Sequence, residues 1–204
     1  ALAVTAQAAT ITGAGATFPA PVYAKWAAEY NKATGIQVNY AAIGSGGGIK
    51  QINNKIVQFG ASDEAVKQED LDKNDQIQFP TVMGGVVAVV NIPGITTNQL
   101  NLTSKQLADI FDARITNWRQ VDARLPDLAI TRVARAASSG TTSVFTNYLT
   151  KHGFTTAPGK TVKWEGKNTI QGKGNAGVAA MVQQVQGTIG YVEFAYTKQN
   201  SLVV

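Results

Sequence analysis

One local pattern constrains this chain most, because it occurs three times: a short apolar stretch, a small-residue loop, then an amphipathic helix. The first copy runs through Thr10-Ile11-Thr12 and Gly13-Ala14-Gly15-Ala16-Thr17-Phe18 into a helix from Pro19 to Lys32. Val22, Tyr23, Trp26, Ala27 and Tyr30 fall at helical spacing. Thr17 is placed to cap, Pro19 suits a first turn, and Gly35 ends the helix. The second copy runs from Gln37-Val38-Asn39-Tyr40 into Gly44-Ser45-Gly46-Gly47-Gly48 and a helix with Ile49, Ile52 and Ile56 on one face. The third runs from Ile130-Thr131-Arg132-Val133 into a loop at Arg135-Ala136-Ala137-Ser138-Ser139-Gly140-Thr141. Its helix, Thr142 to Leu149, turns Val144, Phe145, Tyr148 and Leu149 toward a core.

Other elements fit between these copies. The β-branched run Val82 to Val90 predicts a buried strand. Leu102 to Phe111 reads as a helix capped by Thr103 or Ser104, and Asn175 to Gln186 as another, followed by a strand at Ile189 to Phe194. Helices alternating with strands predict α/β architecture with largely parallel sheets. Trp26, Trp118 and Trp164 are expected as core anchors rather than sugar platforms.

Composition narrows the chemistry. The chain has 204 residues, no cysteine and one histidine. Disulfides, Cys- or His-rich metal sites and cysteine catalysis are therefore excluded, and no cofactor is expected. Only 15% of residues are charged, well below the ~25% usual in globular proteins. The net charge of +5 suits anionic partners. Lys and Arg are scattered singly, however, and that argues against nucleic acid. No apolar run approaches the ~18 residues of a membrane span. Ala6-Gln7-Ala8 fits the small-x-small pattern of a signal-peptidase site, so the expectation is an exported, mature chain.

The loops suggest where a ligand would sit. A helix N-terminus offers free N–H groups and the positive end of its dipole, so it attracts anions. Three such termini, converging, would cage one oxyanion with neutral donors. Each loop taken singly is also explained by capping. Arg135 beside the third loop would add a planar contact to two ligand oxygens, unless it serves a surface ion pair. The stretch Phe59-Gly60-Ala61-Ser62-Asp63 is either a helix cap or something sharper. A carboxylate beside an anion is repulsive unless the ligand brings a proton. A buried, acceptor-only Asp63 would therefore select protonated phosphate over sulfate.

Competing motifs fail. Gly172-Lys173-Gly174-Asn175-Ala176-Gly177 satisfies G-x-G-x-x-G, but no clear strand precedes it and no acidic ribose partner follows at the expected distance. Asp70-x-Asp72-x-Asn74 opens like a calcium loop, yet Asp75 and Thr81 occupy its glycine and glutamate positions; a solvated acidic helix start is expected. No G-x-S-x-G occurs, and His152-Gly153 reads as a helix C-terminus. No general base or metal cluster accompanies the loops, so no enzymatic activity is expected.

Taken together, Gly13-Ala14-Gly15-Ala16-Thr17-Phe18-Pro19-Ala20-Pro21, Gly44-Ser45-Gly46-Gly47-Gly48, Phe59-Gly60-Ala61-Ser62-Asp63 and Ser139-Gly140-Thr141 resemble the periplasmic phosphate-binding proteins of bacterial phosphate ABC transporters. The resemblance extends through Asn91-Ile92-Pro93-Gly94 and Ile189-Gly190-Tyr191-Val192-Glu193, nearly the whole chain. It implies a periplasmic-binding-protein-like two-lobed α/β fold of type II, residues 1–80 contributing to a first lobe and 81–204 to a second. It implies a periplasmic or secreted protein that binds inorganic phosphate, serves ABC permease subunits and has no catalytic activity. By resemblance, Thr17 and Phe18 offer donors from the first loop and Ser45 a hydroxyl. Asp63 accepts the phosphate proton, and Arg135, Ser139, Gly140 and Thr141 bind from the second lobe. The sequence departs from the family in two places. An Asp usually follows the arginine by two residues and holds its guanidinium; here that residue is Ala137, which predicts a freer Arg135 and a more positive site. The family chain also continues well past the counterpart of Val204, so the fold is expected to be incomplete at its C-terminus, with exposed edges and apolar faces. Such edges invite strand addition, and Leu2-Ala3-Val4-Thr5-Ala6-Gln7 is a candidate donor. The alternative reading is therefore an extracellular homopolymer, a filament subunit completed by strands donated between copies.

Overall fold

The computed structural model describes residues 9–204; the Ala6-Gln7-Ala8 pattern and the candidate donor strand lie outside the described residues. Two sheets organise the rest. The first is built from β1 (Thr10–Gly15), β2 (Gln37–Ala42) and β3 (Phe59–Ala61), with α1 (Ala20–Thr34) and α2 (Ser45–Asn53) as the connections. All its pairings are parallel, in the order β2-β1-β3, and Gly13 of the central strand lies opposite both Tyr40 and Phe59. As expected, Gly35 terminates α1 in the left-handed conformation, with its N–H on Asn31 O at 2.8 Å. Helix α2 lies directly against β1. A Cβ on Gly48 would collide with Gly15 Cα and stand 2.7 Å from Ala14 O, so side chains are excluded at this contact. The Asp70-x-Asp72-x-Asn74 stretch falls on α3 (Gln68–Lys73) and the turn that ends it, a short helix with Glu69 and Asp70 in its first turn.

The second sheet contains β4 (Val86–Asn91), β5 (Thr131–Arg135), β6 (Thr169–Gly172) and β7 (Thr188–Glu193), in the order β4-β7-β5-β6. β7 and β6 flank β5 in parallel, whereas β4 runs antiparallel to β7. This sheet is therefore mixed; with the all-parallel first sheet, four of the five strand pairings are parallel, so the expectation of largely parallel sheets holds except at β4. It is covered on both faces. On one lie α4 (Ser104–Phe111) and α5 (Gly140–Thr150), which bring Ile110, Phe111, Phe145 and Leu149 against Ile189, Tyr191 and Trp118. On the other lie α6 (Gly174–Gln184) and α7 (Phe194–Gln199), which bring Val178, Val182 and Tyr196 against Val89, Val133 and Val192. The alternation of β7, with Ile189 and Tyr191 to one core and Val192 to the other, serves both layers. Each such side chain contributes roughly 1.5–3 kcal/mol through burial. Trp118 is fully buried and its indole N–H donates to Gly187 O at 3.1 Å. The capping of α4 follows the sequence closely: Thr103 and Gln106 form a reciprocal box.

Among the described residues, the first sheet has no comparable cover. Helix α1 buries no residue; Trp26 is 52% exposed, and Val22 and Tyr30 are also exposed. The aromatic and aliphatic residues of α1 instead join Ile49, Ile52, Phe59 and Phe79 along an open groove of about 1390 Å³. The expectation that Trp26 anchors a core is thus corrected, while Trp118 and the partly buried Trp164 do pack in one. Other boundaries shift for local reasons. Ile56 is turned out because its N–H returns to Gln51 O, and β3 starts only at Phe59. The strand expected from Val82 begins at Val86, leaving Met83 97% exposed. Val144 and Tyr148 lie on the outer side of α5, where the Tyr148 hydroxyl meets Ser104 Oγ at 2.7 Å. Phe194 is exposed at the start of α7 instead of closing β7.

Candidate functional site

In open α/β sheets, ligands bind beyond the carboxyl ends of the parallel strands. The sequence-predicted residues occupy those positions. Thr17 and Phe18 follow β1, Ser45 follows β2 and Asp63 follows β3. In the second sheet Arg135 ends β5, and Ser139, Gly140 and Thr141 begin α5. Arg135 therefore belongs to the strand end, not to the loop where the sequence suggested it.

The two sets meet. Ser45 Oγ accepts hydrogen bonds from Asp63 N and from Gly140 N, both at 3.2 Å, and so joins the first sheet to the N-terminus of α5. The Thr141 hydroxyl donates to Asp63 Oδ2 at 3.2 Å and accepts from Arg135 Nη1 at 3.3 Å. Gly140 sits so close to this junction that a Cβ would lie 2.5 Å from Ser45 Oγ and 2.7 Å from Asp63 Cβ. Ser139 caps α5, its Oγ accepting from Thr142 N at 3.1 Å. Phe18 stands at the rim, its ring against Gly84, where a Cβ would be 2.8 Å from Phe18 Cζ.

The electrostatics are unusual for so small a cluster. Arg135 is only 7% exposed, and among the described residues it forms no ion pair; its Nε has no hydrogen-bond partner. With alanine at position 137, the residue two places along supplies no carboxylate. A buried cation with unused N–H groups is costly, and burial lowers the Arg135 pKa. Asp63 is shifted the other way. Burial raises its carboxyl above the ordinary aspartate range, against the Thr141 hydrogen bond and then the Arg135 charge. The cluster thus combines one underused cation, one desolvated carboxylate and neutral donors. Among the described residues, no group of acidic, histidine or cysteine side chains could hold a metal ion.

Thr17 differs from its expected local role. The N-cap of α1 is Pro19, with no side-chain capping bond. Thr17 Oγ1 instead accepts from Asn175 N at 3.2 Å and Asn175 Nδ2 at 2.7 Å, across from the second sheet. Several residues that support the site were missed in the sequence. Tyr191 OH accepts from Arg135 N at 3.4 Å and shares a 2.8 Å hydrogen bond with Thr142 Oγ1; burial pushes its pKa up to about 12. Glu64 accepts from Ser143 Oγ at 3.1 Å and pairs with Lys160 at 3.1 Å, beside Asp63. The signal for Asn175 lay in Gly172-Lys173-Gly174-Asn175-Ala176-Gly177, which reads as a failed nucleotide fingerprint until its helix is seen to start at the cleft.

Residues 3–204 match the PBP superfamily domain. The chain belongs to that superfamily. It is similar in sequence to phosphate-binding proteins named PstS. It is 52% identical to the one from Pasteurella multocida over 98% of this chain and 61% of the relative. It is 50% identical to the one from Haemophilus influenzae over 97% of this chain and 62% of the relative. Thus it spans about three fifths of the length of the curated relatives it matches. The fold is also that of a phosphate-binding protein from Stenotrophomonas maltophilia, with a TM-score of 0.74 at 24% identity, covering 92% of this chain and 60% of that one. These relatives are named for binding, in keeping with the expected absence of catalysis.

Proposed function

We propose that this chain is an extracytoplasmic solute-binding protein that captures inorganic phosphate for an ABC transporter, with lobes at 1–80 and 81–204 closing around the ion. The observation that carries the reading is Arg135, a buried guanidinium with no carboxylate partner beside hydroxyls and a helix N-terminus. An oxyanion satisfies those donors. The choice of phosphate rests on Asp63, because a desolvated carboxylate accepts and does not donate when ionised. Mono- or dihydrogen phosphate brings the proton that this carboxylate needs; sulfate at neutral pH brings none and would meet an uncompensated repulsion. The Thr17, Phe18, Ser45, Ser139, Gly140 and Thr141 groups supply neutral donors, which fits a charged fraction of only 15%. Delivery to permease subunits and a periplasmic or secreted location belong to the same proposal; among the described residues no helix is long and apolar enough to cross a membrane.

Calorimetric titration tests the ligand. Phosphate should bind with one site per chain, sulfate should give no heat, and Asp63→Asn should narrow the difference. Absence of heat at millimolar phosphate would reject the reading.

The open groove beside α1 supports a second reading, in which another copy covers it and the chain acts as a filament subunit. Large assemblies in size-exclusion chromatography, lost on deletion of residues 1–8, would favour it. A monomer of 21.5 kDa would count against it.

A further inference from the structure

Among the residues that hold the cleft together, Asn175 is fully buried and every polar atom of its side chain is committed. Its Oδ1 accepts from Glu193 N at 2.9 Å, which fixes the orientation of the amide and turns Nδ2 toward Thr17. Asn175 Nδ2 and N then both donate to Thr17 Oγ1, at 2.7 and 3.2 Å. The Thr17 carbonyl is occupied as well, by Tyr196 OH at 2.7 Å and Ala20 N at 3.3 Å. A hydroxyl oxygen has two lone pairs and one proton. With both lone pairs engaged, the only hydrogen-bonding valence left on the Thr17 side chain is its O–H, which has no acceptor among the described residues.

The consequence is directional. A free hydroxyl beside an anion can present either a proton or a lone pair, and only the proton attracts. We propose that Asn175 is a positioning residue that makes Thr17 an obligate donor to the bound oxyanion; the proposal rests on the phosphate reading. Asn175 begins α6, after β6 of the second sheet, while Thr17 follows β1 of the first. The same contact therefore registers the two sheets across the cleft. Gly174 permits it: its φ is +68°, and a Cβ there would lie 3.0 Å from Thr17 Cγ2.

A double-mutant cycle in phosphate affinity tests the coupling, with Asn175→Ala, Thr17→Val and the double variant titrated calorimetrically well below their melting temperatures. Asn175→Ala is expected to weaken phosphate binding about 10- to 100-fold, as for loss of a hydrogen bond to a charged group. In the Thr17→Val background the same substitution should cost less than about threefold, since no hydroxyl remains to orient. If Asn175→Ala does not fold, Asn175→Asp replaces it: similar in shape, it keeps the acceptor for Glu193 N, and its loss should again be larger with Thr17 than with Val at that position. Equal losses in both backgrounds, or no loss, with wild-type binding intact, would overturn the Asn175 role alone. A wild-type chain that takes up no phosphate at millimolar concentration would overturn the phosphate reading and this role with it.

Discussion

At the scale of single residues, Arg135 and Asp63 carry opposite kinds of tension. Arg135 is buried without an ion pair among the described residues, so its charge serves the empty fold poorly. Arg135→Met should leave the unliganded chain as stable as before or more so, by about 1–4 kcal/mol. The same variant should lose phosphate affinity at least ~100-fold, because two or more charge-assisted hydrogen bonds vanish; chemical denaturation and calorimetry read the two effects separately. For Asp63 the sign follows from its raised pKa. Folding disfavours its ionised form, so its contribution is most favourable below the unfolded pKa and is lost as pH rises through the folded value. Unliganded Asp63→Asn should therefore melt above the wild type at about pH 7, with the difference vanishing as pH falls toward about 4. Thermal melts across that range, in phosphate-free buffer, check it.

At the scale of elements, the close approach of α2 to β1 sets a packing limit. Gly48→Ala would drive a Cβ into the Gly15 backbone and should destabilise the chain by about 1–3 kcal/mol, measured by urea unfolding. The three strand–loop–helix units were legible because their signals are local: alternation, small-residue loops and the stop at Gly35. The antiparallel course of β4 was not, because only its pairing with β7, about a hundred residues later, determines it. Strand β6 was missed altogether: its four residues, Thr169–Gly172, carry too little pattern to stand out. Periodicity also identified the apolar face of α1 correctly but could not say whether anything covers it. Spacing gives a direction, and burial needs a partner.

At the scale of the whole molecule, a well-packed second sheet stands beside a first sheet whose apolar side lines a groove. That groove should bind a hydrophobic fluorescent dye. Replacing the exposed Ile77 and Phe79 by serine should lower the dye signal without lowering the melting temperature, since neither side chain packs in a core. The candidate site spans both sheets, and part of its geometry was legible: Ser45, Asp63, Arg135, Gly140 and Thr141 come together as the family resemblance implied. Asn175 was hidden, because its role depends on where a distant helix begins. The cleft is proposed to hold one protonated oxyanion. Equilibrium dialysis with radiolabelled phosphate against excess sulfate tests it most directly. Saturable binding of one phosphate per chain, undiminished by sulfate, is expected; no retained phosphate, or its displacement by sulfate, would overturn the proposal.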